Sequence, residues 1–162
     1  MPESGGAMTR LLITRGLPAA GKTTFARTLQ PTVTRVNRDD LRRMLHGARL
    51  YTPDAEAQVT RAQRACVETL LRSHTDVIVD DTNLPDAAVR AWARLAGRLR
   101  AGFEVRDFTG VGVEECLRRD AHRPEADRVG ERGIRRMHDL YLAGRSLPLP
   151  VPPIGPAEGG LA

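Results

Sequence analysis

Lysine is almost missing from this sequence: Lys22 is the only one among 25 lysines and arginines. Aromatic residues are also scarce, at 4%, so few rings are available to stack on bases and any nucleic-acid contact would rest mainly on phosphates and shape. Sequence-specific recognition is not expected. There are only two cysteines, Cys66 and Cys116, without metal-ligand or CxxC spacing, and each falls in a helical pattern where a small buried thiol is the common outcome. Both are expected in the core. No apolar run approaches the roughly 20 residues that span a bilayer, and MPESGGAMTR lacks the apolar centre of a signal peptide. A cytoplasmic protein with no membrane partner is the expectation.

What is present suits one globular domain: 162 residues, 41% of them hydrophobic, is enough for a sizeable core and too little for two ordinary ones. The net charge of +5 favours anionic partners, nucleotide phosphates or a nucleic-acid backbone, without choosing between them. After a polar lead over residues 1–9, RLLIT reads as a buried strand that ends at a glycine-rich turn. Helix is expected from Lys22 to Gln30, with Phe25 and Leu29 on one face, then a strand from Thr32 to Asn37. A short helix follows in RDDLRRMLHG, its stripe formed by Leu41, Met44 and Leu45.

Thr52 and Pro53 open a long helix to about Ser73, with Ala55, Val59, Ala62, Cys66 and Leu70 facing the core. DVIVD, residues 76–80, has the continuous apolar pattern of a central parallel strand. Pro85 begins a helix with Ala88, Trp92, Leu95 and Leu99 on its stripe, and Trp92 is read as core. FEVRDF makes a fourth strand, followed by helices over about 113–122 and 131–143, the second presenting Ile134, Met137 and Tyr141. Strands alternating with helices predict an α/β three-layer fold around a mainly four-stranded parallel sheet. The domain is expected over residues 10–146; the tail over 147–162 holds five of the 11 prolines and is expected to be an extended or disordered arm.

GLPAAGKT, Gly16 to Thr23, satisfies G-x-x-x-x-G-K-[ST] between an expected strand and an expected helix. Gly16 and Gly21 would let the backbone wrap a phosphate, with Ala19, Ala20 and Thr24 completing the loop and the helix start. Lys22 would meet the β and γ phosphates, and Thr23 would offer a hydroxyl to hydrated Mg2+. Here the lone lysine is informative: the chain accepts arginine where charge and reach suffice, whereas the cradle has no room for a planar guanidinium. ATP or another nucleoside triphosphate is the expected ligand; the alternative is a glycine-rich turn that matches by chance.

Beside the cradle, NRDD brings Asp39 and Asp40 to the carboxyl edge of the sheet, where open α/β sheets bind ligands. A carboxylate there either accepts a proton from an acceptor hydroxyl or caps the helix, and spacing leaves both open. Arg42, three residues after Asp39, could hold an acceptor phosphate. DDTN places Asp80 and Asp81 at the same edge for magnesium, through water, with Thr82 and Asn83 as substrate or cap groups. Arg119 and Arg123 lie four apart, and Pro124 ends their helix, so two guanidiniums on a hinged lid could neutralise a transferring phosphoryl group. The alternative is a solvated basic face.

In order and approximate spacing, GLPAAGKTTFAR, VNRDDLR, DDTNLPD, CLRRDAHR and GIRRMHDLY resemble the kinase module of phage and bacterial polynucleotide 5′-hydroxyl kinases, over about residues 10–145. The P-loop alone is generic; NRDD with DTN and the arginine pair is more specific. The resemblance implies a P-loop kinase fold with an arginine-bearing lid, and transfer of the γ-phosphate of ATP, with magnesium, to the 5′-hydroxyl of DNA or RNA ends. It implies Asp39 as general base, with Lys22 and Arg123 also catalytic and Arg42 on the acceptor phosphate. Thr82 and Asn83 would serve the acceptor and Thr23 the metal, with Asp80 and Asp81 divided between metal and acceptor in an order the motif leaves open, and Arg119, Arg123 and Arg128 would lie near the nucleotide. Many relatives carry a fused phosphatase or ligase module, which the Pro/Gly tail does not suggest here. A P-loop kinase of a small-molecule hydroxyl and a non-catalytic nucleotide-binding regulator are the competing readings.

Overall fold

A computed structural model describes residues 8–155; most of the expected lead and the last seven residues of the tail lie outside that range. Four strands, β1 (Arg10–Arg15), β2 (Thr34–Val36), β3 (Val77–Val79) and β4 (Gly102–Asp107), pair in the order β2-β3-β1-β4. Every pairing is parallel. Parallel neighbours need long crossovers, supplied by helices α1 (Lys22–Thr28), α2 (Arg38–His46), α3 (Pro53–Arg72) and α4 (Asp86–Arg98). Beyond β4 come α5 (Val113–Ala121), a 3-10 turn at Glu125–Asp127, and α6 (Glu131–Tyr141).

Successive residues of a strand face opposite sides, and the central strands divide accordingly. Leu11, Ile13, Val77 and Val79 pack with Val67 and Leu71 of α3 and Val89, Leu95 and Ala96 of α4. On the other face Leu12 and Ile78 meet Ala26 of α1, flanked by Phe25 and Leu29. A third cluster joins Leu17 and Ala20 of the phosphate loop to Cys116 of α5, Ile134 of α6 and Leu84. This is the three-layer α/β arrangement expected.

Two strands are shorter than their apolar runs because their end residues serve other elements. Asn37 leaves β2 to cap α2, its side chain accepting from the Asp40 N–H at 3.0 Å. Asp76 accepts from the Arg10 backbone at 2.8 Å and from its guanidinium at 2.9 and 3.0 Å.

The helix faces differ more. In α3 the buried positions are Ala55, Val59, Gln63, Val67 and Leu71, not Ala62, Cys66 and Leu70. A helix residue advances about 100°, so stripes one residue apart compete closely, and the presence of a polar residue, Gln63, made the true one look weaker. Cys66 is consequently exposed, against expectation, while Cys116 is buried. In α4 the buried residues are Val89, Ala93, Leu95 and Ala96; Trp92 is half-buried and packs against the first cluster, at the edge of the core. In α2, Met44 and Leu45 are exposed and Arg42 is buried. Arg42 turns inward because Glu56 of α3 meets it with two hydrogen bonds, Nε to Oε1 at 2.5 Å and Nη2 to Oε2 at 2.8 Å.

Residues 147–155 form neither helix nor strand, yet they dock. Leu149 is buried in the third cluster, and its N–H donates to Thr109 Oγ1 at 2.8 Å. The fully buried Arg15 guanidinium donates to Pro150 O at 3.2 Å, to Asn83 O at 3.1 Å, to Leu84 O at 2.7 Å and to Asp86 Oδ1 at 2.7 Å. One arginine thereby ties β1, the loop after β3, the start of α4 and the tail.

Two stability outcomes follow from these contacts. Leu149→Ala is expected to cost about 2 kcal/mol or more in urea denaturation, the lower range for emptying a buried leucine site; a loss within about 0.5 kcal/mol, the scale of surface substitutions, would show that the tail is undocked in solution. The Arg42 and Arg38 guanidiniums hold the Glu56 carboxyl down at about 2, against an ordinary 4.5. A depressed carboxylate stabilises fully above its unfolded value and less as pH falls from about 4.5 towards 2. In Glu56→Gln, the melting temperature should be lower at pH 7 and should fall less steeply across that window. An unchanged acid limb would refute this clamp.

Candidate active site

β1 ends in the turn that builds the phosphate loop. At Gly16 a Cβ would lie 2.8 Å from the Phe108 Cβ and 3.0 Å from its backbone, so this glycine is required by the close approach of Phe108. Gly16 N–H also donates to Thr82 O at 2.9 Å, tying the loop to the segment after β3. Ala19 takes φ 62° and Gly21 φ 98°, left-handed values that curl the loop onto the start of α1. Ala19 and Ala20 are buried. Lys22, 7% exposed, bends back to donate from Nζ to Leu17 O at 2.5 Å. Burial lowers its pKa to about 8 despite the opposing charge of Asp80. A phosphate would restore the charge that burial disfavours.

Lys22, Thr23, Asp39, Arg42, Asp80, Asp81, Thr82, Arg123 and Arg128 all line one cleft of about 470 Å³. Thr24 and Arg119 line an adjoining hollow with Gly21, Phe25 and Arg123. Asp39 sits in the first turn of α2 and accepts from Arg42 Nη1 at 2.7 Å, with Arg49 Nη2 at 3.8 Å from its other oxygen. Arg42, stacked 4.9 Å from the Tyr51 ring centroid, thus has Nε and both Nη groups engaged by Glu56 and Asp39. It holds Asp39 in place.

The two acids after β3 have different surroundings. Asp81 accepts from the Arg38 N–H at 3.0 Å and from Gln63 Nε2 at 2.5 Å, bracing the start of α2 and the middle of α3 against the sheet; desolvation nonetheless raises its pKa to about 6. Asp80, 1% exposed, accepts from Arg35 Nε at 2.7 Å through Oδ2, while Oδ1 is buried with no hydrogen-bond partner among the described residues. A hard, hydrated cation is the partner that an orphaned carboxylate oxygen suits. No cluster of three or more metal-ligating His, Cys, Asp or Glu exists among the described residues.

Asn83 does not join the cleft. Its amide donates to Thr14 O at 2.8 Å and accepts from Trp92 Nε1 at 3.2 Å, and at φ 40° it shapes the loop. These bonds give it a structural role, and it lines the neighbouring cavity between α3 and α4 instead of the cleft. On the lid, Arg119 donates to Glu115 at 2.6 Å, Arg128 to Arg123 O at 2.7 Å, and Arg123 lies 3.5 Å from Asp120. Buried Asp120 accepts from the Val129 and Gly130 N–H groups at 3.1 and 2.8 Å, which fixes the lid's return to α6.

Sequence reasoning passed over Arg49, Tyr51, Glu56 and Asp120. Arg49 reaches the carbonyls of Asp127 and Arg128 at 3.4 and 3.3 Å, and Arg43 pairs with Asp127, so the far end of α2 and its loop meet the lid across the cleft. Arg49, Tyr51 and Glu56 form no motif with their neighbours, and Asp120 stands inside CLRRDAHR, where only the arginine spacing was read. No helix among the described residues is long and apolar enough to cross a membrane.

The AAA domain family model matches residues 11–148. A protein of Autographa californica nuclear polyhedrosis virus that bears the name of a bifunctional polynucleotide kinase/RNA ligase is 27% identical over 149 residues, covering 82% of this chain and 21% of its own. A chain in the Pnkp1/Rnl/Hen1 RNA repair complex is 30% identical with a TM-score of 0.73, over 85% of this chain and 45% of that one. Kti12 of Chaetomium thermophilum, solved with ADP-AlF3, shares the fold with a TM-score of 0.61 at 23% identity, over 81% of this chain and 79% of its own. The chain spans about a fifth of the viral relative and less than half of the repair-complex chain. With the α/β P-loop kinase fold and a family match over most of its length, the chain belongs to the AAA domain family.

Proposed function

We propose that this kinase transfers the γ-phosphoryl group of ATP to the 5′-hydroxyl end of DNA or RNA. The observation that carries the reading is the presence of Asp39 in the same cleft as Lys22 and the lid arginines Arg123 and Arg128. A P-loop supplies the donor, and a carboxylate across from it serves an attacking hydroxyl. The names of the viral relative and of the RNA repair complex support nucleic acid as the acceptor.

In this reading the phosphate loop amides and Lys22 hold the donor phosphates, and Asp39, oriented by Arg42, accepts the proton of the hydroxyl. Arg123 stabilises charge on the transferring group, while Arg119 and Arg128 hold the nucleotide from the lid side. Thr23 and Asp80 would hold Mg2+, which neutralises phosphate charge when bound. Thr82 and Asp81 border the acceptor side. Because Arg42 is clamped by Glu56, we assign the acceptor's first phosphate to Arg49 as well, whose buried Nε has no partner among the described residues.

Labelled ATP, magnesium and a 5′-hydroxyl oligonucleotide should yield an end-labelled product, and free nucleosides should be poor acceptors. Absence of label on DNA and RNA ends, with nucleotide still bound, refutes the reading. Asp39→Asn should reduce transfer by about 100-fold or more, the scale of general-base catalysis, while nucleotide affinity stays within about twofold of wild type, 0.4 kcal/mol by the tenfold-per-1.4 rule. Near-normal turnover in that variant would remove Asp39 from the role. Lys22→Arg should lower nucleotide affinity measured by calorimetry, since a guanidinium fork does not fit the site of a buried ammonium; unchanged affinity would show that charge alone suffices there.

A further inference from the structure

Two hollows adjoin the catalytic cleft, each sharing a different set of lining residues with it. The first, bounded by Gly21, Thr24, Phe25 and Arg119, shares Ala19 and Arg123 with the cleft and so adjoins the donor phosphates. The second is a cavity of about 280 Å³ between α3 and α4, and it shares Arg38, Asp81 and Thr82 with the cleft. Arg38 immediately precedes Asp39, so this second space opens on the acceptor side. None of the roles assigned above uses it.

Its walls are those of a site for a flat, weakly polar ring. Trp92, Leu95, Pro85, Ala88 and Ala91 supply apolar surface, and the indole is pinned by its Nε1 hydrogen bond to Asn83, itself fixed by Thr14. Gln63, 3% exposed, gives its amide N–H to Asp81, and its carbonyl oxygen makes no hydrogen bond among the described residues. Arg64 and Thr60 complete the polar rim. A mostly apolar concavity with a few convergent polar groups, held rigid before any ligand arrives, is the usual form of a small-ligand site. The size admits one ring system and excludes a folded peptide or a run of nucleotides. In a chain with one tryptophan, that ring stands beside the catalytic cleft.

We propose that the cavity between α3 and α4 binds the nucleobase of the acceptor's terminal nucleoside, stacked on Trp92. This rests on the reading that the acceptor is a nucleic-acid end. Stacking on a ring is tolerant of base identity, so the site tests for the presence of a base more than for its sequence. The hollow beside Arg119 shares no lining residue with this cavity, so a donor base held there would not compete.

Trp92 fluorescence in the wild-type protein reports the site directly. With a non-hydrolysable ATP analogue saturating the donor site, a 5′-hydroxyl dinucleotide should quench the emission saturably, and the same molecule lacking its 5′-terminal base should not. In the transfer assay, KM should be about tenfold higher for an abasic 5′ end than for a base-bearing one, with kcat unchanged, as expected for losing one base stack. Ala88→Leu, which fills the cavity from α4, should raise KM for the base-bearing end alone, and Trp92→Phe should retain most of the preference. Equal KM for both ends together with no quenching overturns the proposal while leaving the kinase reading intact. If no end accepts phosphate, the kinase reading fails and the titration alone decides: saturable, base-dependent quenching upholds the cavity as a base site, and a flat titration overturns it.

Discussion

The geometry of the cleft depends on the carboxylate of Asp81. From the last turn of the sheet edge it accepts from the backbone N–H of Arg38 and from the Gln63 amide, so one side chain sets where α2 begins and where α3 passes. Asp39 is the next residue after Arg38. A helix start anchored to a sheet edge leaves its first-turn carboxylate little choice of position, and the Asn37 cap removes more of that freedom. Desolvation raises the pKa of Asp81, which indicates a carboxylate held for its hydrogen bonds at some electrostatic cost.

The arginines around this anchor divide into structural and available groups. Arg15 and Arg35 are fastened in the interior or at its edge, Arg15 to three carbonyls and Asp86, Arg35 to Asp80 and Asp40. Arg42 is held from two sides by Glu56 and Asp39, over the Tyr51 ring. A planar fork with five donors suits such multiple fastening, which a lysine ammonium would not match. The arginine-rich composition therefore reflects interior bracing as well as affinity for anions. The arginines of the lid are more exposed, and their partners lie within the lid itself or on α5.

The lid and the α2 side of the cleft are also joined. Asp120 fixes the lid's return to α6, while Arg43 and Arg49 reach Asp127 and Arg128 across the cleft. Any movement of the lid would change the surroundings of Asp39 through Arg49, which lies 3.8 Å from it. The two sides of the cleft are in this way parts of one hydrogen-bonded rim.

Sequence alone determined the features whose geometry is local. A phosphate loop is a contiguous string in which each position has its own steric requirement, so Gly21, Lys22 and Thr23 were legible before any fold was known. Continuous apolar runs identified the two central strands, and alternation with helices implied the parallel sheet. What tertiary structure decided was which side chains meet from afar. The 100° step of a helix lets neighbouring stripes compete, so only packing could expose Cys66, bury Gln63 and turn Arg42 inward towards Glu56. Only packing, too, could distinguish Asp80, one oxygen of which has no partner among the described residues, from Asp81, held by two elements. Adjacent residues with the same chemistry differ solely in what lies opposite them, and that depends on segments far apart in the chain.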